Sequence, residues 1–341
     1  MATESVTIEE IARAAGVHPA SVSRALRGVS GKVSAQTRDR ISRIAAELGY
    51  QPNAIAASLR TKRTQSVAII VPDVANPLFG PIVQGLEVQL RERAFLCLVV
   101  QTPEGPHDRR RIVLELANRR IDGLLVLSSE NDDPMLEAAA QRGLPTVLIN
   151  RGFGERRFSS VVNDDQESVR LVLQHLAGLG HRRVVHISGP MGSSTGRARC
   201  QAFIELAPAF GMKPVVVETK AFSRAAGVAA ATEILKKQRR PTAIFAANDL
   251  IALGALQVLR EHGIRVPDDV SLVGHNDMPL VDLIDPPLTT VRIAVDQMSR
   301  QGAQMLLDLL QEPAQQPSMR VLTPELVIRR STGTASSKES R

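Results

Sequence analysis

Residues Thr7 to Leu26 set hydroxyl, methyl and guanidinium groups at spacings suited to reading a nucleic acid. Thr7-Ile8-Glu9-Glu10 is a capping box, in which the Thr7 hydroxyl accepts from the Glu10 amide and the Glu10 carboxylate reaches back. Ile8, Ile11, Ala12 and Ala15 then fall on one helical stripe, which Gly16 ends because a tight turn needs its left-handed backbone. Pro19 suits the first turn of a second helix, where a missing N–H does no harm. Val22 and Leu26 share the inner face of that helix, leaving Ala20, Ser21, Ser23, Arg24 and Arg27 outside. In a major groove a methyl can meet thymine, hydroxyls can meet base edges, and Arg24 can bond guanine or phosphate. His18 stands where a helix cap belongs. An imidazole is a poor cap, so either a looser helix start or a phosphate contact is expected.

A third helix is expected from Ser34 to about Leu48, with Ile41, Ile44, Ala45 and Leu48 inward and Gly49 ending it. Short helix, glycine turn and polar-faced helix together make a helix-turn-helix. A solvated surface helix would equally expose a lone Arg24, but it would not need the capping box, turn and third helix around it.

Charge agrees. Up to Gln65 there are ten basic residues against five acids, a surplus that supplies most of the net +7 of the 341-residue chain. A polyanion is the natural partner, although an anionic membrane surface would satisfy charge alone. Hydrophobic residues at 43% and charged residues at 23% are the balance of a soluble globular protein. No apolar run reaches the roughly 18 residues of a membrane span. The opening Met1-Ala2-Thr3-Glu4-Ser5 has no apolar signal core, so no export and a cytoplasmic location are expected.

Catalysis finds little support. The seven histidines show no metal spacing, and Cys97 and Cys200 read as buried or inert thiols. Gly189-Pro190-Met191-Gly192 lacks the G-x-G-x-x-G of a dinucleotide loop. The chain therefore reads as a binding protein, not an enzyme, with no cofactor and no metal.

Asn53 can cap a short segment running to Thr64, alanine-rich and basic at its end through Arg60, Lys62 and Arg63. It is too short for a stable isolated helix, so it should fold only when something holds it. A plain basic linker is the alternative. From Ser66 onward, apolar strands alternate with helical stretches, the sign of parallel sheets. Strands are expected at 67–71, 96–100, 123–127, 146–149 and 160–162, and in a second series at 184–188, 214–217, 243–246 and 271–273. Two Rossmann-like lobes follow, with ligands expected outside the carboxyl ends of their strands.

Val6-Thr7-Ile8-Glu9-Glu10-Ile11-Ala12-Arg13-Ala14-Ala15-Gly16-Val17, Ser21-Val22-Ser23-Arg24-Ala25-Leu26 and Leu48-Gly49-Tyr50-Gln51-Pro52-Asn53 closely resemble the headpiece of LacI/GalR-family regulators. The resemblance continues through Pro72-Asp73-Val74-Ala75-Asn76-Pro77, Ala247-Asn248-Asp249 and Val273-Gly274-His275-Asn276-Asp277 to about residue 330. It implies that Pro19, Ala20 and Arg24 read an operator. It also implies that Leu59 wedges into the minor groove and that Ala56 lets two hinge helices approach. For the effector domain it implies a Phe79 wall, an effector-binding Arg199, and contacts from Asn248 and Asn276. A structural ion pair is the other reading of Arg199. Asp249 reads as a helix cap and Asp165 is ambiguous.

Asn276 departs from the aspartate that the resemblance associates with many sugar-responsive members. With His275 beside it, Arg151, Arg197 and Arg199 in candidate cleft loops, and no tryptophan, it points to a sugar or, alternatively, to a sugar acid or other small carboxylate.

The expected layout is an all-α headpiece over 1–49, a hinge over 50–65 and a periplasmic-binding-protein-like effector domain over 66–330. Its lobes are 66–163 with 292–321, and 164–291 with 322–330, followed by a polar tail over 331–341. Paired hinges and a pseudo-palindromic operator call for a homodimer, and a tail without leucine heptads argues against a tetramerising coiled coil. A periplasmic solute-binding protein would share the lobes but would need an export signal and no headpiece.

Overall fold

The structure, a computed structural model, describes residues 6–26, 33–50, 63–103, 105–130, 132–152, 157–237 and 240–335. The chain divides into two compact units, one ending at Thr64 and the other beginning at Gln65.

In the first unit the capping box forms as its residues dictate. Thr7 Oγ1 accepts from the Glu10 amide at 3.3 Å, and Glu10 Oε2 accepts from the Thr7 amide at 2.7 Å. Those bonds hold the Glu10 carboxyl below its usual range. Helix α1 (Ile8–Ala15) ends at Gly16, whose φ of 61° is left-handed. Helix α2 (Pro19–Leu26) does not start loosely: His18 Nδ1 accepts from the Ala20 amide at 3.2 Å, so the imidazole acts as a cap after all. Helix α3 (Ala35–Glu47) is capped by Ser34. Ile11, Ala12, Ala15, Val22, Ala25, Ile41 and Ala45 form the buried core, and Ile44 packs on its edge. Leu48 was expected inside but is 42% exposed, because it lies past the last helical turn and leaves the stripe.

The second unit holds two six-stranded sheets. The first, in order β11-β5-β4-β3-β1-β2, uses β1 (Ser66–Val71), β2 (Leu96–Gln101), β3 (Gly123–Val126), β4 (Thr146–Ile149), β5 (Ser159–Asn163) and β11 (Met319–Leu322), all parallel. The second, in order β12-β10-β9-β8-β6-β7, uses β6 (Val184–Ser188), β7 (Val215–Glu218), β8 (Ala243–Ala246), β9 (Ser271–Asn276), β10 (Thr289–Arg292) and β12 (Glu325–Val327). Only β12 is antiparallel.

Helices cover both faces of these sheets: α4 (Phe79–Arg91), α5 (Pro106–Asn118), α6 (Pro134–Gln141) and α11 (Val295–Gln311) on the first lobe, and α7 (Asp165–Gly178), α8 (Ser194–Leu206), α9 (Arg224–Leu235) and α10 (Asp249–Glu261) on the second. Helix α11 sits so close to α4 that a side chain at Gly85 would meet Ser299 at 2.7 Å.

The chain therefore crosses between lobes three times, after β5, after β10 and after β11. Strands β10, β11 and β12 escape sequence reading because each is only three or four residues long and mixes polar with apolar residues. The expected tail is also wrong at its start. Ser331 is buried, Gly333 donates to Ser271 Oγ at 3.0 Å, and the Ala335 amide donates to Leu179 O at 2.8 Å, all within the second lobe.

His186 lies in the core of this lobe, its ring stacked 4.7 Å from Phe245 and 5.1 Å from Phe203, with Nδ1–H donating to Phe245 O at 2.9 Å. Burial pushes its pKa down to about 4, so the ring stays neutral. An unfolded imidazole titrates near 6.5, so the unfolded chain takes up the proton first as pH falls. The stabilising contribution is complete above about pH 6.5 and is lost progressively toward pH 4, by roughly 3 kcal/mol in all. In denaturant titrations of the full chain between about pH 6.5 and 4, wild-type stability should fall by this amount relative to that of His186→Phe, since other titrating groups act equally on both.

Candidate functional site

Two surfaces carry chemistry, one in each unit. In the first unit, Arg24 is exposed on α2, and Pro19, Ala20, Ser21 and Ser23 are half-buried on the same helix. Thr7 and His18 are exposed at the starts of α1 and α2. Helix N-termini present unpaired amides and partial positive charge, which suits phosphate oxygens. Because His18 Nδ1 is committed to the cap, its other ring nitrogen is the one left to donate outward. Asn53, Ala56, Leu59 and Arg60, the expected hinge residues, lie outside the described residues.

In the second unit a cavity of about 250 Å³ is lined by loops leaving the carboxyl ends of parallel strands in both lobes. After β1 come Asn76 and Phe79, and after β4 come Asn150 and Arg151. The second lobe supplies Thr195 and Arg199 from α8, Phe222 after β7, Asn248 after β8 and Asn276 at the end of β9. The volume is just under the roughly 300 Å³ at which small-molecule pockets usually begin, so a compact ligand fits. Five of the seven expected contacts, Phe79, Arg151, Arg199, Asn248 and Asn276, are thus brought together.

Two are not. Arg197 lies two residues from Arg199 on α8, which at 100° per residue turns it to another face, where its guanidinium donates to Met191 O at 3.5 Å. His275 is fully buried, because successive residues of β9 alternate faces and Asn276 takes the cavity side. Asn76, Asn150 and Phe222 line the cavity without having been expected. Phe222 was findable from its place just after a second-lobe strand, and with Phe79 it gives the cavity two aromatic rings although the chain has no tryptophan.

Beneath the cavity, Arg199 is 2% exposed. Its Nε donates to Asp165 Oδ1 at 2.7 Å and its NH1 to Ala247 O at 2.6 Å, so it is both a wall residue and an ion pair. Burial raises the Asp165 carboxyl, and Arg199 opposes that shift. His275 Nε2 stands 3.9 Å from Asp165 Oδ1 with no hydrogen-bond partner, and desolvation keeps the ring neutral. Arg151 is buried against the Phe222 ring, 5.9 Å from its centroid, which joins the two lobes across the cavity. Desolvation lowers its pKa to about 10, still far above neutrality.

The expected cap Asp249 is corrected: Asn248 caps α10, its Oδ1 accepting from Ile251 at 2.9 Å. Asp249 instead is wholly buried and accepts from Thr290 Oγ1 at 2.6 Å and from the Met278 amide at 2.8 Å, with burial raising its pKa to about 7. It braces the turn in which Asn276 adopts a φ of 114°, a strained conformation for a residue with a side chain. Gly274 leaves room for this brace, since a Cβ there would lie 2.2 Å from Asp249 Oδ1.

Among the described residues no group of histidine, cysteine and acidic side chains could hold a metal, and no helix is long and apolar enough to cross a membrane.

Known proteins match both units. The model for bacterial regulatory proteins of the lacI family matches residues 7–53, and that for a periplasmic binding protein-like domain matches residues 173–332. The HTH-type transcriptional regulator CelR of Thermobifida fusca is 37% identical over 334 residues, covering 95% of this chain and 98% of that protein. A solved CelR–cellobiose complex has 35% identity and a TM-score of 0.74, covering 96% of this chain and 99% of that one. The lac repressor dimer bound to operator and the anti-inducer ONPF has 26% identity and a TM-score of 0.87, covering 97% and 100%. Alike along nearly its whole length to regulators with this headpiece and these lobes, the chain belongs to the LacI family of bacterial transcriptional regulators.

Proposed function

We propose that the protein is a cytoplasmic, sequence-specific repressor, not an enzyme, that holds a pseudo-palindromic operator as a homodimer and releases it when a small sugar-like effector fills the cavity. One observation carries the proposal: a single chain joins a helix-turn-helix with an exposed polar face on α2 to a two-lobed cavity walled by Phe79, Phe222, Arg199 and four asparagines. Aromatic rings can cover the apolar faces of a sugar ring, while amides and guanidinium bond its oxygens.

Exposed Leu96 and Val99 on β2, with Leu280 and Leu283 after β9, are apolar surface that supports pairing with a second copy. Effector binding acts by favouring one lobe arrangement over another, and only that differential affinity shifts the equilibrium. The basic segment that includes Ala56, Leu59 and Arg60 is too short to be helical alone, so its helicity can follow the arrangement of the lobes that it leads into.

Three measurements test this. Selection of duplexes from a random pool should return two half-sites related by a dyad, and return of bulk sequence would end the proposal. Arg24→Ala should weaken specific binding by about 1–3 kcal/mol, whereas Lys62→Ala should reduce the salt slope by about one while sparing sequence preference. Leu59→Ala should cut specific affinity far more than non-specific affinity, since only a bent, kinked site rewards the wedge.

A further inference from the structure

The four asparagines of the cavity share an orientation. Asn76 Oδ1 accepts from the Leu78 amide at 3.1 Å and Asn248 Oδ1 from the Ile251 amide at 2.9 Å. A backbone N–H can only donate, so in both residues the oxygen is committed to the protein. Asn150 Oδ1 accepts from Asn163 Nδ2 at 3.0 Å, and Asn276 Oδ1 accepts from His275 Nδ1 at 3.1 Å. Each amide oxygen therefore already has a partner in the protein, and each NH2 keeps at least one N–H for a ligand, although Asn248 Nδ2 also donates to Phe222 O at 3.4 Å. Ser223 repeats the pattern, its Oγ accepting from the Ala226 amide at 3.2 Å and so keeping its own proton to give.

Charge follows the same sense. Arg199 is neutralised by Asp165, but Arg151 is not neutralised in this way. Among the described residues no carboxylate lies within ion-pair distance of it. Glu130 and Asp133 act on it from further off and are themselves held by Arg109, while Arg151 donates to Ser129 O at 3.4 Å and packs on the Phe222 ring. Among the described residues, the one acidic side chain in the lining, Asp73, is exposed and has one oxygen taken by the Ala75 amide at 2.9 Å.

We infer that the cavity takes a small polyhydroxy ligand bearing an oxyanion, a carboxylate or phosphate, which Arg151 pairs and the inward amides of Asn150, Asn248 and Asn276 surround. The inference rests on the effector reading above and narrows it. A neutral polyol can accept these bonds as well, but each hydroxyl brings a proton that needs an acceptor of its own, and every cavity asparagine oxygen already has a partner in the protein. An oxyanion is acceptor-only, and charge-assisted bonds to it are about twice as strong as neutral ones.

The test uses the full chain, with melting temperature and calorimetry as readouts at fixed ionic strength. The probes are D-gluconate, D-glucuronate, glucose 6-phosphate, D-glucose and inorganic sulfate. At least one oxyanion probe should stabilise the protein saturably, at least about tenfold more tightly than D-glucose. The gluconate and phosphate arms show which oxyanion is preferred. Arg151→Met should remove that response while leaving the ligand-free melting temperature unchanged or higher, because a desolvated cation has been removed. Asn276→Asp, which restores an acceptor, should move preference toward D-glucose and serves if the Arg151 variant does not fold.

Stabilisation by D-glucose alone, an anion response that survives Arg151→Met, or no response to any oxyanion would each overturn the inference. Selection of a dyad-symmetric duplex in the same preparation would show that the regulator reading survives such a failure.

Discussion

Burying Arg199 is the constraint around which the cleft is built. A guanidinium taken out of water is tolerable only if its N–H groups all find acceptors, and removing one partner of such a pair costs about 3–5 kcal/mol. The acceptors come from different elements: Asp165 opens α7, and Ala247 follows β8. Meeting Arg199's needs therefore fixes α7, α8 and β8 against one another at the floor of the cavity. The buried pair is poor evidence of stability for its own sake, since apolar residues would pack the same space at lower cost. Its value lies in direction, because it aims a planar donor array at one place.

Much of this was legible in the chain. The capping box, Gly16 and the apolar stripe of α1 specify the headpiece because each is a local rule met within a few residues. The buried strands read clearly because they are continuous apolar runs. What escaped was what depends on phase or distance. Arg197 and Arg199 differ by two residues, and only the set of the helix on the sheet decides which one faces the cavity. His275 and Asn276 pose the same problem with the strand period of two. His18 was misjudged because its ring nitrogen, although a weaker acceptor than a hydroxyl, sits at the right separation from Ala20. Asp249 was taken for a cap because it opens a helix, yet its neighbour Asn248 caps and Asp249 turns inward to Thr290, which is 41 residues away in sequence.

The two units divide the electrostatic work. The first carries most of the positive surplus of the chain, with Arg13, Arg24, Arg40 and Arg43 exposed among the described residues, where long-range attraction to a polyanion is effective and salt-sensitive. The second keeps the cavity's Arg151 and Arg199 dry, where screening is weak and a single contact matters. Diffuse charge on one unit and a few desolvated charges on the other suit a long polyanion and a compact ligand respectively.

The cavity is also wired to the segments that join the lobes. Asn150 is held by Asn163, the last residue of β5, just before the first crossing. Arg199 is held by Asp165, just after that crossing. Asn276 is followed by Asp277, whose carboxylate takes Arg292 at 2.7 Å, at the second crossing, and Arg329 at 2.7 Å, beyond β12. A ligand that pulls on Asn150, Arg199 or Asn276 thus acts within one bond or one residue of these connections, which must flex if the lobes rotate. The first lobe in turn is entered at Gln65, whose amide is tied to Asp122 at 2.7 Å. Under the proposed function coupling needs no long pathway, since side chains that line the cavity also bond to residues at the ends of these connections.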